Sequence, residues 1–169
     1  MIYVWPVSNH DFVMAYTQDY ATWLDERGYP RPAVREGNRL PAPAEILAVL
    51  RAVPGGELRV TEPYVFLSPR GSGPGGGYWL RLEAPAWSSW EDESWDAPDY
   101  FTITPGGEHE LAVVIALAAT CGQLLIYPDS GTVAMIVDSA DDPAALTHLL
   151  AEADREPDQW QAFHRLRYG

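Results

Sequence analysis

The chain has 169 residues, of which 47% are hydrophobic, and its 24 acidic and 11 basic side chains give a formal net charge of −13. This length and apolar content predict a single domain over residues 1–169 with a buried core, and they exclude wholesale disorder. No apolar stretch reaches the roughly 20 residues that span a bilayer, and the single cysteine excludes an intrachain disulfide and a cysteine-based zinc cluster.

The first third of the chain predicts one strand and two helices. Residues 1–7 are typical of a short strand. A helix is then indicated by apolar residues at helical spacing, which are Phe12, Tyr16, Tyr20, Trp23 and Leu24. We interpret this aromatic stripe as a face packed on a sheet and not as a ligand platform. Gly28 helps to end the helix. The proline-rich residues 30–43 are then predicted to form an exposed connection, and a second helix is predicted over residues 43–53.

The middle of the chain predicts strands joined by loops. Residues 58–67 are typical of strand sequence interrupted by Pro63, and residues 78–82 and 100–104 also indicate strands. Residues 71–76 (GSGPGG) match the G-x-G-x-x-G pattern of dinucleotide-binding loops. That motif must open a helix whose N-terminus faces phosphate, whereas this loop leads into a strand and contains a proline. We interpret it as a hairpin loop and predict no cofactor.

The segment over residues 84–99 combines tryptophans with acidic side chains and fits neither a helical nor a strand period. Exposed tryptophans are costly unless they fold back on the core or meet a partner. Tryptophan anchors within an acidic rim are typical of an interface with a basic protein. The alternative is that the tryptophans form a lid over the sheet while the acids are solvated. We predict a partner-binding site formed by Trp87, Trp90, Glu91, Asp92, Glu93, Trp95, Asp96 and Asp99.

The last third predicts helices around a hairpin. Residues 108–119 are apolar on nearly all sides from Leu111 onward, which predicts a central helix covered by other elements. Residues 123–127 and 132–137 indicate two strands, and a helix follows with Pro143 in its first turn. A last short amphipathic turn or helix is indicated by Trp160, Phe163 and Leu166. The predicted order is β-α-α-β-β-β-α-β-β-α-α, an α+β fold with helices packed on a mostly antiparallel sheet.

The chemistry-bearing residues indicate no catalytic, cofactor or metal site. His109 is followed by Glu110, but Val113 stands where an H-E-x-x-H zinc motif needs its second histidine. A metal site would need two or more of the four histidines brought together by the fold. Cys121 is expected at a helix C-terminus, where the dipole disfavours a thiolate, so we interpret it as a core thiol. Carboxylate pairs are easy to find in so acidic a chain and carry little weight as acid–base machinery.

The negative charge is concentrated in one part of the chain. No lysine or arginine occurs between Arg81 and Arg155, whereas fourteen acidic residues do. We name residues 82–154 the acidic stretch and predict that it forms a contiguous negative face. Such a face repels nucleic-acid phosphates and anionic lipids and attracts basic partners. Since the N-terminus also lacks the pattern of a signal peptide, we expect a cytoplasmic protein that binds a basic protein and neither nucleic acid nor membrane.

The layout of the chain provides a resemblance to a known group. It includes Trp5 in the first strand, residues 41–50 and Pro85-x-Trp87. In the back half a helix over residues 110–119 leads into Gly122, residues 124–127, Asp129 and Gly131. This helix–strand–turn arrangement resembles small bacterial immunity proteins of polymorphic toxin systems.

Two short motifs, Leu40-Pro41 before a helix and Pro54-Gly55-Gly56, are also similar to the SUKH immunity superfamily, whose remaining pattern is not evident. The resemblance implies a non-enzymatic protein that neutralises a cognate toxin by binding it. Two alternatives stay open. A small enzyme or ligand-binding protein would have a deep pocket with titratable groups under residues 87–95. An acidic adaptor or regulatory protein would show regularly spaced acids on one exposed face.

Overall fold

The computed structural model describes residues 1–61, 63–73, 75–83, 100–106, 109–128 and 134–154. The strands in this part of the chain are β1 Ile2–Pro6, β2 Gly56–Thr61, β3 Tyr64–Pro69, β4 Leu80–Glu83, β5 Phe101–Pro105, β6 Leu124–Pro128 and β7 Met135–Val137. The helices are α1 Asp11–Glu26, α2 Pro43–Arg51, α3 Glu110–Cys121 and α4 Pro143–Asp154.

The strands form one seven-stranded sheet with the order β2-β3-β4-β5-β1-β6-β7. Each neighbouring pair is antiparallel. The first strand lies inside the sheet, because Val4 of β1 pairs with Phe101 of β5 on one side and with Ile126 of β6 on the other. The predicted α+β fold, with helices on a mostly antiparallel sheet, is confirmed.

The element order differs from the prediction between α2 and α3. The sequence predicts three strands there, whereas the structure has four, because residues 58–67 are divided between β2 and β3. Thr61 pairs with Tyr64 across a tight turn that contains Pro63. Proline has no backbone N–H to donate and its φ suits a turn, so it joins two strands here and does not weaken one. The predicted last helix around Trp160 lies outside the described residues.

Strand alternation gives the sheet two different faces. The aliphatic side chains of one face are fully buried in the same core as the inner sides of α2 and α3, and they include Leu67, Leu80, Leu82 and Ile103. On the other face α1 packs over β1 and β6. The ring of Phe12 lies 5.2 Å from that of Trp5, and the ring of Tyr16 lies 5.3 Å from that of Tyr127. The aromatic stripe of α1 is therefore a packing face.

Helix α3 is buried along one broad side and not all round. The buried side chains are Leu111, Val113, Val114, Leu117, Ala118 and Cys121. The exposed ones are Ala112, Ala116, Ala119 and Thr120. Alanine is apolar but small, so its exposure costs little while it favours the helix. The prediction of a helix covered on several sides is therefore wrong for the solvent side, although α3 does supply core residues.

The connection before α2 is held to the sheet by a buried polar side chain. Gln123 is 0% exposed. Its Nε2 donates to the carbonyl of Ala33 (2.6 Å) and to the Asp138 carboxylate (3.0 Å), and its Oε1 accepts from the backbone N–H of Arg35 (2.8 Å). The backbone N–H of Gln123 donates to Oδ1 of Asn38 (2.7 Å). Since a buried amide must have its partners, this network fixes the path of the connection, most of whose residues are exposed as predicted.

Candidate functional site

The predicted partner-binding residues belong to the connection between β4 and β5, outside the described residues. β4 ends at Glu83, and the described chain resumes at Tyr100. Glu83 lies opposite Thr102 on one side and opposite Tyr64 on the other, so both ends of this connection meet the same end of the sheet. The residues that stay a sequence prediction are Trp87, Trp90, Glu91, Asp92, Glu93, Trp95, Asp96 and Asp99.

One face of the sheet carries aromatic and arginine side chains, of which Tyr64 lies opposite Glu83 at the start of this connection. Arg59 of β2 lies opposite Phe66 of β3, and Phe66 lies opposite Arg81 of β4. Tyr64 is on the same face two residues before Phe66, and Tyr78 precedes β4. Arg59 is exposed and the other four are half-buried, in contrast to the buried aliphatic residues that alternate with them on β3 and β4. We name Arg59, Tyr64, Phe66, Tyr78 and Arg81 the aromatic–arginine face.

The rings and guanidinium groups of this face hold one another in place. The Arg59 guanidinium lies 4.9 Å from the centre of the Phe66 ring, and that of Arg81 lies 4.5 Å from the centre of the Tyr64 ring. The Phe66 ring is 6.2 Å from that of Tyr64 and 5.6 Å from that of Tyr78, with edge-to-face geometry in both cases. Each cation–π contact at such a site contributes about 0.5–1 kcal/mol. The face is therefore partly ordered before any partner arrives.

The two arginines of this face differ from four others in their partners. Among the described residues, Arg59 and Arg81 form no ion pair, and Arg81 donates only to the hydroxyl of Thr104 (3.3 Å). A carboxylate is paired with each of Arg27, Arg31, Arg35 and Arg39. A guanidinium stacked on a ring keeps its N–H edge available for carbonyl or carboxylate oxygens. Tyrosine, phenylalanine and arginine are also the residues enriched where proteins bind one another.

Part of the acidic stretch is neutralised by arginines from earlier in the chain. Asp138 pairs with Arg35 (2.9 Å) and Glu152 with Arg27 (3.9 Å). Burial of Asp138 raises its pKa, but hydrogen bonds from Arg35 and Gln123 act in the opposite direction and leave the pKa lowered. The described part of the stretch is thus less negative than its sequence indicates. Part of the acidic stretch lies outside the described residues, so the contiguous negative face stays a prediction.

The environments of His10, His109 and Cys121 are those of structural side chains. His10 accepts a hydrogen bond from the N–H of Phe12 (3.3 Å) at the start of α1. The ring of His109 lies 4.4 Å from that of Trp79. Burial raises the pKa of the Cys121 thiol to about 11, so it is a poor nucleophile. Within the described ranges, no group of three His, Cys, Asp or Glu side chains could hold a metal ion.

The glycine-rich loop does not have the geometry of a phosphate site. It joins β3 to β4 and opens no helix. Gly71 and Gly73 have φ values of 80° and 67°, which a non-glycine residue rarely adopts. The prediction of a hairpin loop is confirmed.

A groove between α1 and the connection before α2 has a volume of about 350 Å³. Its lining includes Tyr20, Arg31, Val34 and Ile136. Burial, with a smaller contribution from Asp141, raises the pKa of Tyr20 to about 12. Neither Tyr20 nor Arg31 changes its charge near neutral pH, so this groove does not supply a general acid or base.

Comparison of the chain with family models, curated proteins and solved structures found no match. None of the helices in the described ranges has both the length and the apolar character needed to cross a bilayer.

The aromatic–arginine face was missed at the sequence level. Its signal was present, because Arg59, Tyr64, Phe66 and Arg81 alternate with aliphatic residues in segments predicted as strands. Alternation identifies the buried face of a strand, but the partners of the other face depend on which strands are neighbours. The order β2-β3-β4 brings these residues together.

Proposed function

We propose that the protein is a non-enzymatic binding protein, and specifically a cytoplasmic immunity protein that neutralises a basic bacterial toxin by direct binding. The observation that carries the proposal is the aromatic–arginine face, whose Tyr64 lies opposite Glu83, where the acidic, tryptophan-rich connection between β4 and β5 begins. Rigid aromatic side chains and arginines are the residues whose truncation most often costs binding energy at interfaces. All of these side chains except that of Tyr78 project here from paired strands, which fix their spacing.

The negative charge of the chain and the aromatic–arginine face have different roles in the proposal. The net charge of −13 attracts a basic partner and raises the rate of encounter. Phe66, Tyr64 and Tyr78 supply apolar anchor area, and Arg81 donates to carbonyl or carboxylate oxygens of the partner. Such charge-assisted hydrogen bonds are directional, so they contribute specificity where the general attraction cannot.

The test uses the product of the gene next to this one, when that gene encodes a large secreted protein with a basic C-terminal domain. Binding of that domain is measured by titration calorimetry for the wild-type chain, Phe66→Ala and Tyr78→Ala. Each loss of an anchor should weaken binding about tenfold or more. Val34→Ala is the matched control, because Val34 is 56% exposed and lies away from the face.

Thermal melting of each variant separates lost contacts from lost folding. Weakened binding with an unchanged melting temperature supports the proposal. If the wild-type chain does not bind the domain, or if both anchor variants bind as tightly as Val34→Ala, the proposed function is wrong. Reduced toxicity of the domain in cells that express the wild-type chain, and not in cells that express the variants, is the corresponding functional result.

A further inference from the structure

Strand β2 forms one edge of the sheet, and most of its residues are exposed. It ends the strand order of the described residues, in which β3 is its single neighbour. Val60 is 53% exposed, Glu57 and Arg59 are exposed, and Leu58 is half-buried. An edge strand presents a row of backbone N–H and C=O groups that another strand could pair with.

The hydrogen bonds of β3 show which backbone groups of β2 point outward. The N–H of Trp79 donates to the carbonyl of Leu67 (2.8 Å), so the backbone of Leu67 faces β4. Leu67 lies opposite Leu58, and residues of an antiparallel pair alternate in the direction of their polar groups. Leu58 therefore directs its N–H and C=O away from β3, and so does Val60 two residues later. No described residue bonds these outward groups, whereas the N–H of Gly56 donates to Val53 (3.3 Å).

The side chains of β2 are complementary to those of a second β2 in one register. If Leu58 of one copy lies opposite Leu58 of another in an antiparallel pair, Glu57 of each copy lies opposite Arg59 of the other. Opposed residues share a face of the joined sheet, so these charges attract one another. In a register centred on Glu57 or on Arg59, that residue would lie opposite its own copy, and two like charges would face each other. Charge therefore selects the register centred on Leu58.

We propose that two copies of the chain form a two-fold symmetric dimer in which their β2 strands pair antiparallel, with Leu58 opposite Leu58. The two Leu58 residues exchange backbone hydrogen bonds, and the N–H of each Val60 donates to the Gly56 carbonyl of the other copy. The exposed Val60 of each copy lies opposite Gly56 of the other. A depression of about 270 Å³ beside Glu57, which Ser68 and Gly73 also line, leaves room for the guanidinium of the opposing Arg59. The two sheets become one continuous sheet with a closed interface.

Sedimentation velocity over a concentration series tests the dimer in a buffer of about 0.15 M salt, which screens the repulsion between acidic copies. Glu57→Arg and Arg59→Glu each oppose like charges at two symmetric positions and should weaken dimerisation about tenfold or more. The double variant E57R/R59E restores both pairs with reversed sign and should restore the dimer. Glu36→Arg makes the same charge change on an exposed loop and should dimerise like the wild type.

Val60→Pro tests the backbone contacts independently of charge. It removes an outward N–H that no described residue of the single chain accepts from, and proline is tolerated at such edge positions, so the variant should fold and be monomeric. Circular dichroism checks the folding of every variant. The dimer is refuted if the wild-type chain stays monomeric up to about 1 mM, the concentration that corresponds to roughly −4 kcal/mol of binding. It is equally refuted if folded E57R/R59E is monomeric, or if Val60→Pro dimerises as well as the wild type.

Discussion

Replacing Leu117 by alanine tests how α3 contributes to the core. Leu117 is 0% exposed, and the substitution removes three carbon atoms from its side chain. At about 0.8 kcal/mol per buried carbon, their transfer accounts for roughly 2.4 kcal/mol. The cavity left behind raises the expected loss in the free energy of unfolding to about 2–5 kcal/mol. In a chain of this size each kcal/mol lowers the melting temperature by about 2–4 °C, so we expect a decrease of roughly 5–20 °C.

Two further positions on α3 serve as controls in the same urea titrations. Ala116 is exposed, so Ala116→Gly should cost only the helix propensity of about 1 kcal/mol. Ile115 is half-buried, so Ile115→Ala should cost less than Leu117→Ala. A loss below about 1 kcal/mol at Leu117, or a ranking in which Ala116→Gly is the most harmful, would show that α3 is peripheral.

The remaining predictions concern polar groups. Gln123→Ala leaves the Ala33 carbonyl without its donor and should lower the free energy of unfolding by about 1–3 kcal/mol, while an unchanged urea midpoint would contradict the buried network. A hydrogen bond from Arg39, with another from the backbone before α2, lowers the pKa of Glu45 from 4.5 to about 2. The wild-type chain should therefore have a larger free energy of unfolding than Glu45→Gln, and this difference should be complete above pH 4.5. It should disappear as the pH falls toward about 2, and a pH-independent difference would refute this. Cys121 is buried with its pKa raised to about 11, so Ellman's reagent should label it only in urea, and rapid labelling of the native chain would contradict its burial.

Periodicity predicted most elements but not what surrounds them. The aromatic spacing of α1 correctly identified a helix that packs on the sheet, because one face of a surface helix must be buried. The same reasoning failed on α3, since Ala112 and Ala116 count as apolar and yet lie at the surface. Pro63 was interpreted as an interruption of one strand, although it lies in the turn that joins two. The candidate site depends on cross-strand neighbours such as Arg59 and Phe66, and a single sequence gives no register.

The arginines decide how the net charge of −13 acts at the surface. Two of them, Arg35 and Arg27, neutralise acids of the acidic stretch and tie it to the first part of the fold. Arg59 and Arg81 stack on rings at the far strands of the sheet. A guanidinium that paired with a neighbouring carboxylate would have to give up that bond before it contacted another protein, whereas a stacked one keeps its donors exposed. In an acidic chain this arrangement needs strand neighbours that are aromatic and not acidic, as Phe66 and Tyr64 are. The charge thus governs the approach of a partner. Arg59 pairs with Glu57 of the second copy in the proposed dimer, so Arg81 is the stacked arginine that remains able to bind that partner.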